Sequence, residues 1–569
     1  MSAELIGRAA SPGAAVGRAF VVVPRRVVAV PEEADDPAVE RRRADGALAQ
    51  VGADLERLAD QVGADTGAQH GEIFLAHADF VADPELAERV RAAVDRGASA
   101  EHAVRISFDS FRGLLEQSDS EYLAARAADL DDVRDQVLDV LAGGGQSTVP
   151  VEPCVVVAEE LTPSQTARIP REHLRAIACA KGSPTSHAAI LARSLGIPAV
   201  VGVTGLLDAV VAGDTVVVDG EAGRVLVGPD DDEQAAVEQQ AVRHAAQAEK
   251  ARAAAAEPCA TLDGHRVEVA ANIDGPAALE RAIAHGAEGS GLVRTELLFL
   301  GATASPSIEE QATYYHRVLA TFPGQRVVFR TMDIGADKPV PYIDRADEDN
   351  PALGLRGVRL GLARPELLRD QLRALLRARA PDQAQGNLAI MFPLVSHRDE
   401  IVKARALLEE AVTAEGASLD GVEVGVMIEV PSAALAARRI ARHVDFVSLG
   451  TNDLLQYLFA VDRTNADVAE LAQILDPDVL RLVCDVATAA HEAGAWVGVC
   501  GEAAADPLTA AALVGAGADE LSATPTAIPQ VKAFLRQLRR DDLRATVEAA
   551  LTLDDADAVR ERLEAATQT

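Results

Sequence analysis

The alternation of apolar and polar positions predicts two different kinds of structure in the first part of the chain. Residues 1–30 carry short apolar runs separated by turns, as in GAAVGRAFVVV, which predicts β-strands. From about residue 36 to residue 141, apolar positions recur at helical spacing, which predicts amphipathic helices. Strand-like runs return with CVVVAEEL and end in the hairpin-like GDTVVVDGEAGRVLVG. We therefore expect a mixed α/β domain at 1–30 and 147–228, interrupted by a helical subdomain at 31–146.

The second half of the chain repeats a pattern of one strand followed by one helix. It begins after an alanine- and charge-rich segment, residues 229–260, that predicts an exposed linker helix. Eight apolar runs then alternate with helical stretches: VEVAAN, GSGLV, RVVFRT, LAIMFP, EVGVMIEV, FVSLG, WVGVC and ELSAT. Eight such units predict a (β/α)8 TIM-type barrel at 261–569, in which functional residues follow the carboxyl ends of the strands.

Length, charge and cysteine content narrow the class of protein. A chain of 569 residues is longer than one core requires, so several domains are expected. The formal net charge of −34 argues against binding to nucleic acid or to anionic lipid, and anionic substrates would need locally clustered arginines. The five cysteines include no CxxC pair, and no segment is typical of a signal peptide or a membrane span. We therefore expect a cytoplasmic enzyme with no membrane insertion.

A single histidine, His187, lies at a predicted helix start in GSPTSHAAILARSL. Free backbone N–H groups and the positive end of the helix dipole would favour a bound phosphate there. The same dipole disfavours the imidazolium and keeps the ring neutral and nucleophilic. This combination suggests a phosphohistidine. The alternative, that Thr185 or Ser186 caps the helix and His187 is an ordinary first-turn residue, stays open.

Arginines follow several of the predicted strands. Arg294 in GLVRTELLF and Arg330 in VVFRTMDIG share an Arg-Thr ending, and NPALGLRGVRL adds Arg356 and Arg359. Guanidinium groups bind phosphate and carboxylate oxygens through paired hydrogen bonds. The repeated ending favours a shared anion site, although a lone arginine at a strand end more often forms a surface salt bridge.

Two carboxylates end neighbouring predicted strands. Glu429 in VGVMIEVPSAA and Asp453 in VSLGTNDLLQYLFAVDR are the hard oxygen ligands that suit Mg²⁺. The alternative is that Asn452 or Asp453 caps a helix. Arg463 follows ten residues after Asp453 and could reach the same substrate. Cys500 in WVGVCGEAAADP is either buried packing or a proton donor to carbon.

Taken in order, these motifs resemble the Enzyme I family of the phosphoenolpyruvate-dependent sugar phosphotransferase system (PTS). The resemblance covers essentially the whole chain and includes ASPGAAVGRAF, YLAARAADLDDVRD, LTPSQTARI and RTMDIGADKP. It implies a swivelling α/β phosphohistidine domain with an inserted helical subdomain that binds the carrier protein HPr. It also implies a linker helix and a TIM-type barrel that binds phosphoenolpyruvate (PEP) and forms a homodimer.

The resemblance also implies a role for each matched residue. His187 would take the phosphoryl group of PEP and pass it to a histidine of HPr. Cys500 would protonate the enolate of pyruvate, Thr166 would orient His187, and Arg126 would contact HPr. Glu429 and Asp453 would hold Mg²⁺. The substrate-binding residues would be Arg294, Arg330, Arg356, Asn452, Asp453 and Arg463.

Three alternative interpretations of the sequence remain, and the sequence differs from the family pattern at one place. Pyruvate phosphate dikinase and PEP synthase share the histidine motif and the barrel, but they need an ATP-binding domain, and no P-loop is present. Nitrogen-related Enzyme I variants would carry an added sensory domain. A phosphorylated scaffold would have a degenerate barrel, whereas every motif is retained here. The departure is Ser183-Pro184, where the family more often has paired glycines.

Overall fold

The computed structural model separates into two compact units, residues 1–246 and 247–569, which we describe one at a time. The residues that the structure describes are 2–22, 32–33, 36–66, 68–116, 121–143, 150–182, 186–300, 304–335, 340, 342–343, 348–379, 387–463, 465 and 468–567.

The first unit is built on a mixed sheet of eight strands. The strands are β1 (Ala3–Ile6), β2 (Arg8–Ser11), β3 (Ala14–Val22), β4 (Cys154–Ala158), β5 (Leu174–Cys179), β6 (Ala199–Val201), β7 (Thr215–Asp219) and β8 (Arg224–Val227). Their order across the sheet is β1-β8-β7-β3-β4-β5-β6-β2. Strands β3 to β6 run parallel to one another, and β7 and β8 form the predicted antiparallel hairpin.

Between β3 and β4, the described residues form five helices: α1 (Pro37–Thr66), α2 (Ala68–Val81), α3 (Pro84–Asp95), α4 (Ala100–Glu116) and α5 (Glu121–Leu141). Their apolar faces form a separate core around Leu55, Val90 and Val133. The helical character predicted for this region is confirmed. The sequence pattern of helix α2 is less distinct, because the apolar residues in AQHGEIFLAHADFV surround the helix and do not form one stripe.

The remaining helices of the first unit pack on the sheet or follow it: α6 (Pro163–Arg168), α7 (His187–Leu195), α8 (Leu206–Ala209) and α9 (Asp231–Ala253). Ala189 and Ala192 of α7 pack on the face that carries Val156, while Leu206 of α8 packs on the opposite face. The division between the two units falls within α9.

The second unit is a closed barrel of eight parallel strands: β9 (Glu268–Ile273), β10 (Gly289–Arg294), β11 (Arg326–Arg330), β12 (Leu388–Phe392), β13 (Glu423–Ile428), β14 (Phe446–Leu449), β15 (Trp496–Val499) and β16 (Glu520–Ala523). Each of the eight predicted apolar runs overlaps one of these strands. The TIM-type barrel is therefore confirmed. Buried strand runs such as LAIMF are typical of parallel sheets that are covered on both faces.

Helices surround the barrel and follow its strands. They are α10 (Pro276–Ala284), α11 (Leu297–Leu300), α12 (Ile308–Thr321), α13 (Val358–Ala363), α14 (Pro365–Ala378), α15 (Arg398–Glu415), α16 (Pro431–Leu435), α17 (Ala437–Ile440), α18 (Thr451–Phe459), α19 (Pro477–Glu492), α20 (Pro507–Ala516), α21 (Ile528–Leu535), α22 (Arg540–Ala550) and α23 (Ala556–Thr567). Among the helices that the structure describes, none is long and apolar enough to cross a membrane.

Candidate active site

Most of the residues singled out from the sequence lie where barrel strands end. Arg294 and Arg330 are the last residues of β10 and β11 and pair directly with each other in register. Glu429 follows β13, and Cys500 follows β15. Asp453 lies in the first turn of α18, just after β14. Because all strands of the barrel are parallel, these side chains meet at one end of it.

Arg330 and Arg356 share the carboxylate of Asp333, which is itself buried. Arg356 donates to Asp333 through Nε (3.2 Å) and Nη2 (2.7 Å). Arg330 lies 3.3 Å from Asp333 Oδ2 and 3.1 Å from Glu296 Oε1. Burial disfavours both guanidinium charges, but the nearby carboxylates outweigh that effect and raise the pKa of both arginines above the ordinary value. Both guanidinium groups therefore stay charged and are held at fixed positions.

Glu429 is the most enclosed carboxylate of the group, with 1% of its surface exposed. Its Oε1 accepts a 2.5 Å hydrogen bond from the backbone N–H of Leu394, which has an unusual positive φ of 54°. Burial first, and then the charges of Asp453 and Asp333, raise the pKa of Glu429 above its ordinary value. This crowding of negative charge is what a divalent cation would relieve.

The described residues contain no cluster of three or more His, Cys, Asp or Glu side chains that could hold a metal ion. The two carboxylates Glu429 and Asp453 fit Mg²⁺ nonetheless, because this ion keeps waters and substrate phosphate oxygens in most of its coordination positions. A substrate phosphate would therefore be part of the metal site.

Asn452 and Asp453 do not cap helix α18. The capping position is Gly450, which makes no side-chain capping bond. Asn452 instead donates from Nδ2 to Glu502 Oε1 and accepts from the backbone N–H of Glu502, both at 3.1 Å. Asp453 Oδ2 accepts from Arg356 Nη2 at 3.3 Å. The capping alternative is therefore wrong for both residues. Each side chain instead hydrogen-bonds to a residue of a neighbouring loop.

Cys500 lies inside the barrel mouth with 3% of its surface exposed. Its thiol donates to the carbonyl of Leu449 at 3.7 Å. Burial raises the pKa of this thiol to about 12, although the hydroxyl of Ser448 lowers it in part. The group is therefore a thiol and not a thiolate at neutral pH, which suits a proton donor, and it also packs in an apolar cluster.

Arg294 and Arg463 are less enclosed. The side chain of Arg294 is 36% exposed and lies 3.4 Å from Asp274 Oδ1, a geometry that a surface salt bridge would also have. Arg463 is exposed and follows α18. The enclosed cluster therefore consists of Arg330, Arg356 and the carboxylates. Arg294 and Arg463 lie at its edge.

The histidine motif begins helix α7, as its sequence indicates. Ser186 is the N-cap, and its side chain accepts from the backbone N–H of Ala189. His187 is therefore the first residue of the helix, whereas its side chain and residues 183–185, including the Ser183-Pro184 departure, lie outside the described residues. Thr166 in α6 is buried and donates to the carbonyl of Thr162 at 3.0 Å, which leaves its oxygen lone pairs able to accept. Arg126 lies in α5, but its side chain is also outside the described residues.

Sequence reasoning missed the residues that hold the arginines in place. Glu296 and Asp333 lie two and three residues after Arg294 and Arg330, so a carboxylate close behind each Arg-Thr pair was the available signal. Tyr457, whose hydroxyl accepts from Arg356 Nη1 at 3.1 Å, lies one helical turn after Asp453. Gln371 gave no local signal, because it reaches the Thr295 hydroxyl from helix α14.

Comparison with models of protein families identifies the class of protein. The second unit matches the model of the PEP-utilising enzyme, PEP-binding domain, over residues 247–540. Residues 6–126 match the PEP-utilising enzyme, N-terminal model, and residues 150–223 match the PEP-utilising enzyme, mobile domain model. The fold and the charged barrel mouth described above therefore lie in a PEP-utilising enzyme.

Curated relatives then give the particular family. A phosphoenolpyruvate-protein phosphotransferase from Bacillus sp. (strain S) is 40% identical over 97% of this chain and 96% of its own. The enzyme of the same name from Geobacillus stearothermophilus has the same identity and coverage. An NMR solution structure of an Enzyme I protein covers 42% of this chain and 99% of its own, at 35% identity and a TM-score of 0.38. The chain belongs to the phosphoenolpyruvate-protein phosphotransferase family.

Proposed function

We propose that this protein transfers the phosphoryl group of PEP to His187 and then to a histidine of HPr, and that it releases pyruvate. The observation that carries the proposal is the barrel mouth, where two buried arginines and the carboxylates Glu429 and Asp453 converge. A trianionic substrate needs fixed cations, and phosphoryl transfer depends mainly on positioning and on neutralising charge. The reaction is the first step of the PTS cascade of sugar uptake.

The proposed substrate-binding arginines form a buried pair and a more exposed pair. Arg330 and Arg356 would contact the phosphate, because their positions are fixed by Asp333 and Glu296. Arg294 and Arg463, which are more exposed, would close on the substrate from the edge, and the Asn452 amide would donate to one of its oxygens. Each role is tested by the loss of PEP affinity in the corresponding variant.

Mg²⁺ is the cofactor that this arrangement suits, with Glu429 and Asp453 as its protein ligands. When bound, the ion would neutralise charge on the phosphate and on the enolate oxygen that leaves it. The buried arginines orient the same oxygens. Cys500 supplies a proton to the methylene carbon of the enolate, since its thiol is enclosed and protonated.

His187 would attack phosphorus as a neutral imidazole, because it begins helix α7 at the positive end of the dipole. Thr166 would orient the ring by accepting a hydrogen bond. The same imidazole must react with PEP and with HPr in turn, so we propose that the α/β domain (1–30 and 147–228) swivels on the linker helix (229–260). HPr would dock on the helical subdomain (31–146), where Arg126 would take part, and the barrel (261–569) would form a homodimer in the cytoplasm.

The test is incubation of the purified chain with ³²P-labelled PEP and Mg²⁺, without nucleotide, beside His187→Ala. We expect acid-labile label on the wild-type chain only, release of pyruvate, and loss of the label when HPr is added. Absence of label on the wild-type chain would contradict the proposal. Label that survives on His187→Ala would place the phosphoryl group on another residue.

A further inference from the structure

A row of residues crosses three neighbouring strands inside the barrel, next to Cys500. Ser448 of β14 pairs in register with Gly498 of β15, and Gly498 pairs with Glu520 of β16. Side chains alternate along a strand, so Gly498 lies on the same side of β15 as Cys500, two residues later. Cys500 packs with Phe446 in the apolar cluster inside the barrel. The row therefore faces the barrel interior, one layer below the thiol.

Glu520 is buried in this row. Its residue surface is 2% exposed, and neither carboxyl oxygen has a partner among the described residues. The carboxyl group fills space that Gly291 leaves open, since a Cβ on Gly291 would overlap Oε1. Burial, and then the charge of Glu268, raise the pKa of Glu520, while Arg326 opposes the rise. A buried carboxyl group with a raised pKa and no hydrogen-bond partner among the described residues favours the protonated form.

Ser448 lies across Gly498 from this acid, on the strand next to the one that Cys500 follows. Its hydroxyl is buried and also has no hydrogen-bond partner among the described residues. Glu520 Oε2 is 3.0 Å, and Ser448 Oγ is 3.3 Å, from the point where a Cβ on Gly498 would lie. One water molecule can bridge such an interval. Ser448 precedes Leu449, whose carbonyl accepts from the Cys500 thiol. The Ser448 hydroxyl also lowers the pKa of that thiol.

The other end of the row opens to solvent. Glu268 of β9 pairs in register with Glu520, and its Oε2 lies 2.8 Å from Arg326 Nη1. A cavity of about 1000 Å³ at the amino ends of the strands is lined by Glu268, Arg326, Glu423 and Trp496, among others. Water therefore comes within one residue of Glu520, at the opposite end of the barrel from the arginines and carboxylates of the candidate active site.

We propose that Glu520 returns the proton that Cys500 gives away, through Ser448, and is itself reprotonated from the cavity at the amino ends of the strands. The inference rests on the proposed function, in which Cys500 protonates the enolate. In that step the S–H bond breaks, a C–H bond forms and a thiolate remains. The thiolate takes the Ser448 hydroxyl proton, Ser448 takes a proton from Glu520 through one bridging water, and the Glu520 carboxylate takes one from a hydronium ion in the solvent. No oxidant or further reactant is needed.

The experiment uses Glu520→Gln and Ser448→Ala in the full chain. Ser290→Ala is the matched control, since Ser290 is another buried strand hydroxyl, which donates to the carbonyl of Ala271. Pyruvate is measured by rapid quench with PEP, Mg²⁺ and excess HPr. We expect Glu520→Gln to form one pyruvate per barrel at the wild-type rate, and Ser448→Ala to form it somewhat more slowly, because this variant also loses the hydroxyl that lowers the pKa of the thiol. Later turnovers should then be about a hundredfold slower, because the thiol is no longer reprotonated.

Folding effects are separable from this result. Glu520→Gln replaces a neutral acid by an amide of the same shape, and a shared defect in packing would slow the first turnover as much as the later ones. As a chemical check, acetate should restore the later turnovers of Glu520→Ala, whose shortened side chain leaves room for a small acid. It should have no effect on Ser290→Ala.

The outcomes distinguish the two proposals. A wild-type chain that forms no pyruvate would overturn the proposed function, and the relay with it. A wild-type chain that turns over, beside relay variants that match it in every turnover, would overturn the relay alone. First turnovers slowed as much as later ones would also overturn it, because that pattern indicates damage to the site.

Discussion

Replacing Arg356 by lysine tests whether the barrel mouth works through a rigid guanidinium. Arg356 makes three hydrogen bonds to carboxylate oxygens, two with Asp333 and one with Asp453, and a fourth to the Tyr457 hydroxyl. Lysine keeps the charge, but its ammonium group cannot span two carboxylates in this planar arrangement. Arg356→Lys therefore changes geometry and leaves the net charge of the site unchanged.

The size of the effect follows from the bonds that lysine cannot make. A hydrogen bond to a charged group contributes about 1.5–3 kcal/mol. If two of the carboxylate bonds are lost and water replaces part of each, about 3 kcal/mol of positioning energy disappears. In the transition state this corresponds to a fall of about a hundredfold in kcat/KM.

The assay is steady-state pyruvate formation from PEP with HPr as acceptor, together with thermal unfolding of the metal-free chain. Arg359→Lys is the matched control, since Arg359 lies in the same segment and donates to the backbone carbonyls of Leu353 and Gly354. We expect Arg359→Lys to stay within about twofold of wild type. Arg356→Lys within about threefold of wild type would refute the reasoning, because the shared carboxylate bonds would then contribute little to catalysis.

Three further predictions concern single side chains. At pH 8, iodoacetamide should alkylate Cys500 about a thousandfold more slowly than free cysteine, because its raised pKa keeps the thiolate scarce; alkylation within about tenfold of free cysteine contradicts this. Glu429→Gln should weaken Mg²⁺ binding, measured by calorimetry with PEP present, by about a hundredfold, and unchanged affinity would remove Glu429 from the metal site. Lys532 is fully buried and donates to three backbone carbonyls beside Glu288. Lys532→Met should therefore lower the free energy of unfolding in urea by about 3–5 kcal/mol, and an unchanged midpoint would count against it.

The barrel was predictable because its signal is local. Each strand is a short apolar run, such as LAIMF before Pro393, and a residue at its carboxyl end is recognisable from the same few letters. Arg330 and Glu429 were found in this way. Their burial and their shared neighbours were not predictable, because these depend on which strands become adjacent when the barrel closes.

The residues that support the site from behind were the hardest to predict from the sequence. Gln371 lies 76 residues from Thr295, whose hydroxyl accepts its hydrogen bond, and nothing in the sequence around Gln371 separates it from a polar residue on a helix surface. For Asn452 and Asp453, the local sequence suggested a role that the structure does not show. Their position near a helix start made capping the ordinary expectation. In the structure, Asn452 hydrogen-bonds to Glu502 and Asp453 hydrogen-bonds to Arg356. Long-range partners decided what each side chain does.

The charges at the barrel mouth do not balance, and this gives a last prediction. Among the described residues, Glu296, Asp333, Glu429 and Asp453 face only Arg330 and Arg356 in the enclosed cluster, so two negative charges are in excess if all four carboxylates are ionised. The more exposed Arg294 is already paired with Asp274. A trianionic substrate would be repelled by such a cluster. A divalent cation removes the excess, so PEP and Mg²⁺ should bind together.

Calorimetry on His187→Ala, which cannot accept the phosphoryl group in the proposed reaction, separates binding from reaction. We expect the affinity for PEP to rise by about thirtyfold or more when Mg²⁺ is added. Linkage requires that PEP raise the affinity for Mg²⁺ by the same factor, so the two titrations check each other. Equal PEP affinity with and without Mg²⁺ would mean that the arginines alone overcome the carboxylates, and that the cation is not needed to bring the substrate into the barrel.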